Sequence, residues 1–315
     1  MARRPATTTL LCFAVIYVIW GTTFLANTLL LRTVPPFIGG AARFLVAGAL
    51  LYGWLRLRDP RPFAGLPWGG TALCGVLLTG IGNGFVIWAQ IALPSGITSL
   101  FIGALPVAIL LLDWACFARR APRALAALGV ALGLAGVVVL TLHTQSIAGA
   151  VHPIYVAAVL AAVFAWALGT LLQPRYVGAR RVIPFTCLQM WVGAVFQLLM
   201  AWVDHEWRGF TPAAVSAQSL MALGYLAVFG SVATFCSYAW LVARVAPQKI
   251  ATYALVNPVI ALALGTLVLG ERLTPAAIIS TVLVLLGVGL VLLQREPARP
   301  PAAAGAPGTA GTGAG

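Results

Sequence analysis

Long apolar stretches separated by short polar segments run through the chain from one end to the other. Ten of them are long enough to cross a bilayer, because a helix needs about 20 apolar residues to span roughly 30 Å of hydrocarbon. Their lack of period-two alternation argues against membrane β-strands. The pattern predicts an all-α integral membrane protein with ten transmembrane helices. The predicted spans, numbered one to ten, cover approximately residues 9–30, 36–55, 69–91, 95–117, 124–142, 153–172, 184–203, 217–241, 249–269 and 276–293.

Composition supports a membrane protein, since 61% of the residues are apolar and 8% are charged, too few to coat a soluble globule. Residues 1–8 are predicted to be a cytoplasmic N-terminus. The first apolar stretch is too long for a signal peptide and lacks a good cleavage site, so it is interpreted as an uncleaved helix. Residues 294–315 are rich in Pro, Ala and Gly and are predicted to form a disordered cytoplasmic tail.

The positive charges give the predicted helices an orientation. Cytoplasmic loops accumulate Lys and Arg, and fifteen of the nineteen basic residues fall on one side if the N-terminus is inside. The outer loops hold Arg32, Arg208 and Arg272, and Arg43 lies within the second span. A multi-pass membrane protein with both termini cytoplasmic is therefore predicted. Because this asymmetry explains the net charge of +13, no nucleic-acid partner is expected.

The chain also contains a weak internal repeat with an offset of about 150 residues. PSGITSLFIGALP at 94–106 resembles PQKIATYALVNP at 247–258, and Trp20 corresponds to Trp166. Because five helices lie between equivalent points, the second copy must enter the membrane from the opposite side. The sequence thus predicts two inverted five-helix repeats, 9–142 and 153–293, an arrangement typical of transporters with a substrate site at the midplane.

Several short motifs lie along the predicted spans. They are WGTTF at 20–24, PPF at 35–37, ARF at 42–44, GNG at 82–84, PSG at 94–96, ATYALVNPV at 251–259 and LGERLT at 269–274. Together they resemble the drug/metabolite transporter superfamily, specifically its ten-helix exporters with two EamA domains, over residues 9–293. The resemblance implies a bundle around a central cavity and efflux of small metabolites, often amino acids. Together with a composition rich in Ala, Gly and Arg and a single lysine, it also implies the bacterial plasma membrane. The first copy departs from the family's pattern at Ala118-Arg119-Arg120, where the second copy has Gly270-Glu271-Arg272. The resemblance therefore implies no role in the first half for an acidic residue like Glu271.

Polar and aromatic side chains form faces on the first, third, sixth and ninth predicted spans. Amides are costly in hydrocarbon unless they are partnered, so these faces must contact protein or a water-filled cavity. Hydrogen bonding between helices, worth about 0.6 kcal/mol per bond, is one interpretation, and substrate binding is the other. Pro106 and Pro258 are expected to bend their helices, either as fixed kinks or as hinges. The predicted substrate-binding residues are Trp20, Asn27, Arg43, Asn83, Trp166, Tyr253 and Asn257.

Arg43 is the most unusual of these residues. It follows Pro36 by seven residues, which places it about 10 Å below the outer end of its helix, where an unpaired charge costs at least about 2.5 kcal/mol. One interpretation is a structural partner, either Glu271 or carbonyl groups at a helix end. The other is a bidentate binding site for a substrate carboxylate.

Missing motifs narrow the function further. The sequence places no acidic residue in the middle of a predicted span, and it contains no phosphate-binding G-x-x-x-x-G-K-[ST] loop. Five cysteines without C-x-x-C spacing predict neither disulfides nor a metal site, and no cofactor is expected. The sequence therefore predicts an exporter of neutral, zwitterionic or anionic metabolites working by alternating access, not an enzyme. A lipid or lipid-carrier flippase is the first alternative, and a membrane enzyme is the second.

The predicted topology can be tested with reporter fusions. A reporter fused after Gln294 should be active in the cytoplasm, and one inserted within residues 204–212 should be active outside, because the basic residues favour the cytoplasmic side. Alkaline phosphatase and fluorescent-protein activities measure the two locations. The reverse pattern would contradict both the orientation and the repeat.

Overall fold

The computed structural model describes residues 4–118, 124–147, 153–245, 247–251, 253–254, 256–257, 260, 264, 267–268 and 274–293. Throughout these residues the regular secondary structure is helical. In the first half the helices are α1 (Arg4–Leu30), α2 (Pro36–Arg56), α3 (Trp68–Cys74), α4 (Gly84–Ala89), α5 (Ser95–Ile102), α6 (Leu105–Leu112) and α7 (Ala124–Ile147). In the second half they are α8 (Pro153–Tyr176), α9 (Val182–Val203), α10 (Ala217–Ala227), α11 (Thr234–Val242), α12 (Pro247–Ile250) and α13 (Pro275–Leu292).

Three π-helical segments interrupt or extend these helices. They are π1 (Gly75–Asn83), π2 (Asp113–Ala118) and π3 (Val228–Ala233). The first joins α3 to α4 and the third joins α10 to α11, so each lies inside one membrane-length unit. Two 3-10 turns, Glu206–Arg208 and Pro212–Ala214, connect α9 to α10. In a π-helix the hydrogen-bond register shifts by one residue, and such segments are frequent at functional sites.

Within the described residues, seven helical units are long and apolar enough to cross a membrane. They are Thr7–Leu30, Pro36–Arg56, Trp68–Ala89, Ser95–Phe117, Pro153–Tyr176, Val182–Val203 and Ala217–Val242. Shorter apolar stretches, Ala127–Gly136 and Pro275–Gly287, occupy the fifth and tenth predicted spans. The prediction of an all-helical membrane protein is confirmed, whereas the number of ten spans and the inverted repeat stay predictions.

The outer surface of the bundle is apolar, as a lipid-facing surface must be. Large apolar side chains such as Leu50 and Leu199 are exposed. Two exposed tryptophans lie at helix ends: Trp68 begins α3 and is 63% exposed, and Trp202 is next to last in α9 and is 70% exposed. Tryptophan is enriched at the level of lipid headgroups, where its amphipathic ring is best solvated. The exposed surface thus has the distribution expected of a membrane protein.

The start of α2 is capped by an acidic residue from the loop after α9. Pro36 opens the helix, where its missing N–H is not needed. The Glu206 carboxylate accepts hydrogen bonds from the backbone N–H groups of Phe37 and Ile38, each at 2.9 Å. Burial raises the pKa of the Glu206 carboxyl above its ordinary value, and these two N–H bonds oppose that shift. Because anions are stabilised at helix N-termini, this contact fixes α2, which carries Arg43.

The segment π1 is packed between neighbouring helices. Both α8 and α9 pack against it, and α9 also packs along α2, while α1 contacts α10 and α11. The closest approach to π1 is at Gly193 of α9, where an added Cβ would lie 2.9 Å from the Gly80 backbone nitrogen and would also overlap the Thr79 side chain. In membranes, small residues at helix contacts allow such close approach of backbones.

A methyl group at Gly193 is therefore predicted to destabilise the protein. Gly193→Ala should lower the free energy of unfolding by about 1–3 kcal/mol, because overpacking against backbone cannot be relieved by side-chain rotation. Loss of the monodisperse peak on heating in detergent, followed by size-exclusion chromatography, measures this effect. Gly224→Ala in α10 is the matched control, since nothing lies within 4 Å of a Cβ there. Equal midpoints for the two variants would contradict the packing argument.

Candidate functional site

A cavity lies in the interior of the bundle, at the level where two membrane-length helical units lose their regular geometry. Its water-accessible volume is about 50 Å³. Asn83 and Gly82 reach it from π1, and Ile102 and Leu105 lie on either side of the break between α5 and α6. The lining residues are Trp20, Thr23, Phe24, Asn27, Arg43, Gly82, Asn83, Val86, Ile102, Leu105, Val163, Trp166, Tyr253 and Asn257.

The structure brings all seven predicted binding residues to this one cavity. They come from α1, α2, π1 and α8 and from the segment that follows α12. The lining includes every asparagine in the sequence, residues 27, 83 and 257. Three amides and one guanidinium thus converge within a predominantly apolar bundle. Their contribution to substrate binding stays a prediction.

Aromatic rings form one wall of the cavity. Trp20 is surrounded by Trp166, Tyr253 and Phe235, with ring centroids 5.4, 4.7 and 5.7 Å away and the rings edge to face. Trp166 Nε1 donates to Tyr238 Oη at 3.3 Å, and this hydrogen bond holds the orientation of the indole ring. Edge-to-face pairs at these separations are stabilising beyond their buried area. The wall is therefore ordered by contacts among the rings themselves.

Asn83 closes the end of π1. Its Nδ2 donates to the Leu78 backbone carbonyl at 3.1 Å, and the side chain is half-buried at the edge of the cavity. Beside it, Gly82 leaves no room for a side chain, because an added Cβ would lie 2.8 Å from the Trp166 ring. The aromatic wall thus packs directly on the π1 backbone.

Asn257 links α1 to the segment after α12. The two groups nearest its amide are the backbone carbonyls of Tyr17 and Tyr253, which only accept hydrogen bonds, so the amide nitrogen faces them. It donates to each at 3.1 Å. The side chain is 2% exposed. Pro258, predicted as a hinge beside it, lies outside the described residues.

Arg43 is 4% exposed and held by neutral oxygens. Its Nε donates to Ser231 Oγ at 2.7 Å and its Nη2 donates to the Gly230 carbonyl at 2.6 Å, both in π3. In the part of the chain that the structure describes, no carboxylate lies within ion-pair distance of Arg43, and Nη1 makes no hydrogen bond. Glu271, one of the two partners predicted for Arg43, lies outside the described residues. The expectation of a carbonyl partner fits, although this carbonyl belongs to an internal π segment rather than to a helix end.

Pro106 lies where the predicted fourth span is broken. It is the second residue of α6, and Gly103 and Ala104 form the turn after α5. A proline in the first turn of a helix removes no hydrogen bond, so it favours a fresh start here over a smooth kink. The predicted bend is thus a break between two helices, and movement at this break stays a prediction.

Sequence reasoning missed two groups of residues. The apolar lining, such as Phe24, Val86 and Val163, gave no signal because an apolar residue beside a cavity has the same pattern as one in a packed core. The partners of the polar residues were also missed: Ser231 for Arg43 and Gln90 for Asn27. For Gln90 a signal existed, since it follows Asn83 by seven residues and thus lies on the same side of its helix.

Comparison with known proteins gives a consistent result. The sequence matches the EamA-like transporter family over residues 7–142 and again over residues 153–293. It is 31% identical to the uncharacterised inner membrane transporter YedA of Escherichia coli, over 90% of this chain and 91% of that protein. It is 31% identical to a probable terminal-alkyne amino-acid exporter of Streptantibioticus cattleyicolor, over 78% of this chain and 79% of that protein. A probable amino-acid metabolite efflux pump of Salmonella typhimurium is 26% identical, over 87% and 91%.

The fold also matches a known crystal structure. The two chains superpose with a TM-score of 0.65 over 90% of this chain and 96% of the other, at 20% sequence identity. At this identity the match concerns the fold alone.

Proposed function

The chain belongs to the EamA-like transporter family, and we propose that it exports small metabolites across the bacterial inner membrane. The substrates are amino acids or related neutral, zwitterionic or anionic compounds. The observation that carries this proposal is the convergence of Asn27, Asn83, Asn257 and Arg43 on one interior cavity. Ligand sites combine apolar walls with a few convergent polar groups, and this cavity has both.

The chemistry of the cavity fits a small molecule with a carboxylate. Arg43 uses Nε and Nη2 for π3 and retains Nη1 for another acceptor. A guanidinium so placed can bind a carboxylate while remaining tied to the protein. The names of two relatives, an amino-acid exporter and an amino-acid metabolite efflux pump, favour the same substrate class.

Alternating access is proposed because the cavity is too small for a metabolite. One water molecule needs about 10–15 Å³ of water-accessible volume. The cavity, with about 50 Å³, holds only a few water molecules. Binding a metabolite therefore requires the walls to move apart. The interruptions at π1, at π3 and between α5 and α6 lie beside the cavity, where discontinuous helices of transporters commonly contact their substrates.

The proposed architecture is two inverted repeats of five helices with both termini in the cytoplasm. Three observations support it. The family matches each half of the chain separately, and π1 and π3 interrupt the third and eighth predicted spans, which are equivalent in such a repeat. The contact between Trp20 and Trp166, which the repeat also treats as equivalent, agrees with a pseudo-twofold axis near the cavity.

Replacing a cavity asparagine should abolish export without removing the protein. Asn83→Leu and Asn257→Leu are each expected to reduce export by more than tenfold, because the cavity loses a polar group that faces the substrate. Membrane abundance should stay near normal, since a hydrogen bond between membrane helices contributes only about 0.6 kcal/mol. Extracellular amino acids, profiled by mass spectrometry in strains overexpressing each variant, measure export, and immunoblots of membranes measure abundance.

Gln218→Leu is the matched control for this experiment. Gln218 is also an amide, but it is exposed and bonds to Arg32, away from the cavity. Its export should equal that of the unmodified protein. Normal export by both asparagine variants would mean that substrate passes elsewhere.

Arg43→Lys separates the two roles of the guanidinium. Lysine keeps the charge but has a single nitrogen, so it cannot both bond π3 and form the planar fork that fits a carboxylate. We expect the half-saturating concentration of carboxylate substrates to rise by about tenfold or more, which corresponds to about 1.4 kcal/mol. Transport in proteoliposomes containing equal amounts of folded protein measures this value. An unchanged value together with lower thermal stability would assign Arg43 a structural role only.

A further inference from the structure

Two buried amide side chains form a pair at one end of the cavity. Asn27 of α1 is 5% exposed and Gln90, which follows α4, is 7% exposed. Asn27 Nδ2 donates to Gln90 Oε1 at 2.9 Å. Asn27 lines the central cavity, whereas Gln90 lines a separate pocket that also includes Arg32 and Thr33. The pair therefore lies between two open spaces.

The orientation of the Gln90 amide is fixed by α1. Its Nε2 donates to the Phe24 backbone carbonyl at 3.0 Å and approaches Thr28 Oγ1 at 3.5 Å. A carbonyl oxygen can only accept, and the Thr28 hydroxyl already donates its proton to Phe24 O. Gln90 Nε2 must therefore face the Phe24 carbonyl, and Gln90 Oε1 must face Asn27.

This arrangement determines which atom of Asn27 remains free. Because Gln90 presents an acceptor, Asn27 must turn its nitrogen toward Gln90. Asn27 Oδ1 is then buried and has no hydrogen-bond partner among the described residues. A buried acceptor without a partner is unfavourable, and such atoms in native proteins call for an explanation. A ligand that donates a hydrogen bond would supply the missing partner.

We infer that Gln90 is a positioning residue that holds Asn27 Oδ1 as the acceptor for a donor group, such as an ammonium, on the transported molecule. This inference rests on the proposed function and adds a requirement to it. A substrate needs a donor group near its carboxylate, and an analogue without the donor leaves Asn27 Oδ1 unpaired. A site built to hydrogen-bond a substrate group discriminates strongly against analogues that lack it.

The experiment compares amino acids with their deamino analogues. Transport of labelled L-leucine and L-phenylalanine into proteoliposomes is measured with unlabelled competitors: each amino acid, and 4-methylpentanoate or 3-phenylpropionate. The unmodified protein should prefer the amine-bearing competitor by about tenfold or more. Asn27→Leu and Gln90→Leu should each reduce this preference to near unity. Gln218→Leu, an amide removed outside the cavity, should leave it unchanged.

Two further variants distinguish positioning from general damage. Asn27→Asp loses the donor to Gln90 but keeps the shape and an acceptor oxygen for the substrate, and its negative charge favours an ammonium, so it should retain the preference for the amine. If Gln90 acts only through Asn27, the double variant Asn27→Leu/Gln90→Leu should show the same preference as Asn27→Leu alone. A purely structural role for Gln90 would instead lower the apparent affinity for both members of each pair equally.

The outcomes separate this inference from the proposed function. Transport of either amino acid with the same preference in Asn27→Leu as in the unmodified protein would overturn the inference and leave the proposed function standing. An equal loss for both members of each pair in Gln90→Leu would also overturn it. If the unmodified protein transports no compound of a panel of amino acids and related neutral, zwitterionic and anionic metabolites, the proposed function fails, and the inference fails with it.

Discussion

Inside a bilayer every backbone N–H and C=O group must find its partner within the protein, because hydrocarbon offers none. Regular helices meet this requirement by themselves, and an interrupted helix does not. In this protein the interruptions lie beside polar side chains that compensate for them. Asn83 Nδ2 donates a hydrogen bond to the Leu78 carbonyl in π1, and Arg43 Nη2 donates one to the Gly230 carbonyl in π3. The polar groups of the cavity and the irregular backbone around it therefore stabilise each other.

The walls of the cavity differ in how they are held. On one side π1 is tied to α9 by hydrogen bonds: the Thr79 hydroxyl is shared between the Gly75 and Gln189 carbonyls, and Gln197 Nε2 donates to the Thr79 carbonyl. On the other side, Trp20 and Tyr253 meet mainly through ring contacts. Ring contacts tolerate sliding more readily than paired hydrogen bonds, which are lost when geometry changes. The contacts between π1 and α9 are therefore expected to resist relative movement more than the ring contacts on the other side.

Much of this organisation can be predicted from sequence, for identifiable reasons. An asparagine or arginine inside an apolar span is a rare signal, so the polar lining was found, and all seven predicted residues line the cavity. The partners could not be predicted, because 188 residues separate Arg43 from Ser231 and the choice of partner depends on tertiary packing. The sequence left both Glu271 and a carbonyl group open as partners of Arg43, and among the described residues its acceptors are the Gly230 carbonyl and the Ser231 hydroxyl. The π segments were not predicted either, since π1 contains no proline and its glycines are equally compatible with close helix packing.

The burial of Arg43 also has a consequence for how the protein is made. Its two partners, Gly230 and Ser231, follow it in the chain by 187 and 188 residues. At about 5–20 residues per second, synthesis of this interval takes roughly 10 to 40 s. During that time α2 has already left the ribosome, while the oxygens that accept its guanidinium do not yet exist. The early helix must therefore keep its charge near water, lipid headgroups or the insertion machinery, and it can settle to its final depth only after the second half of the chain arrives.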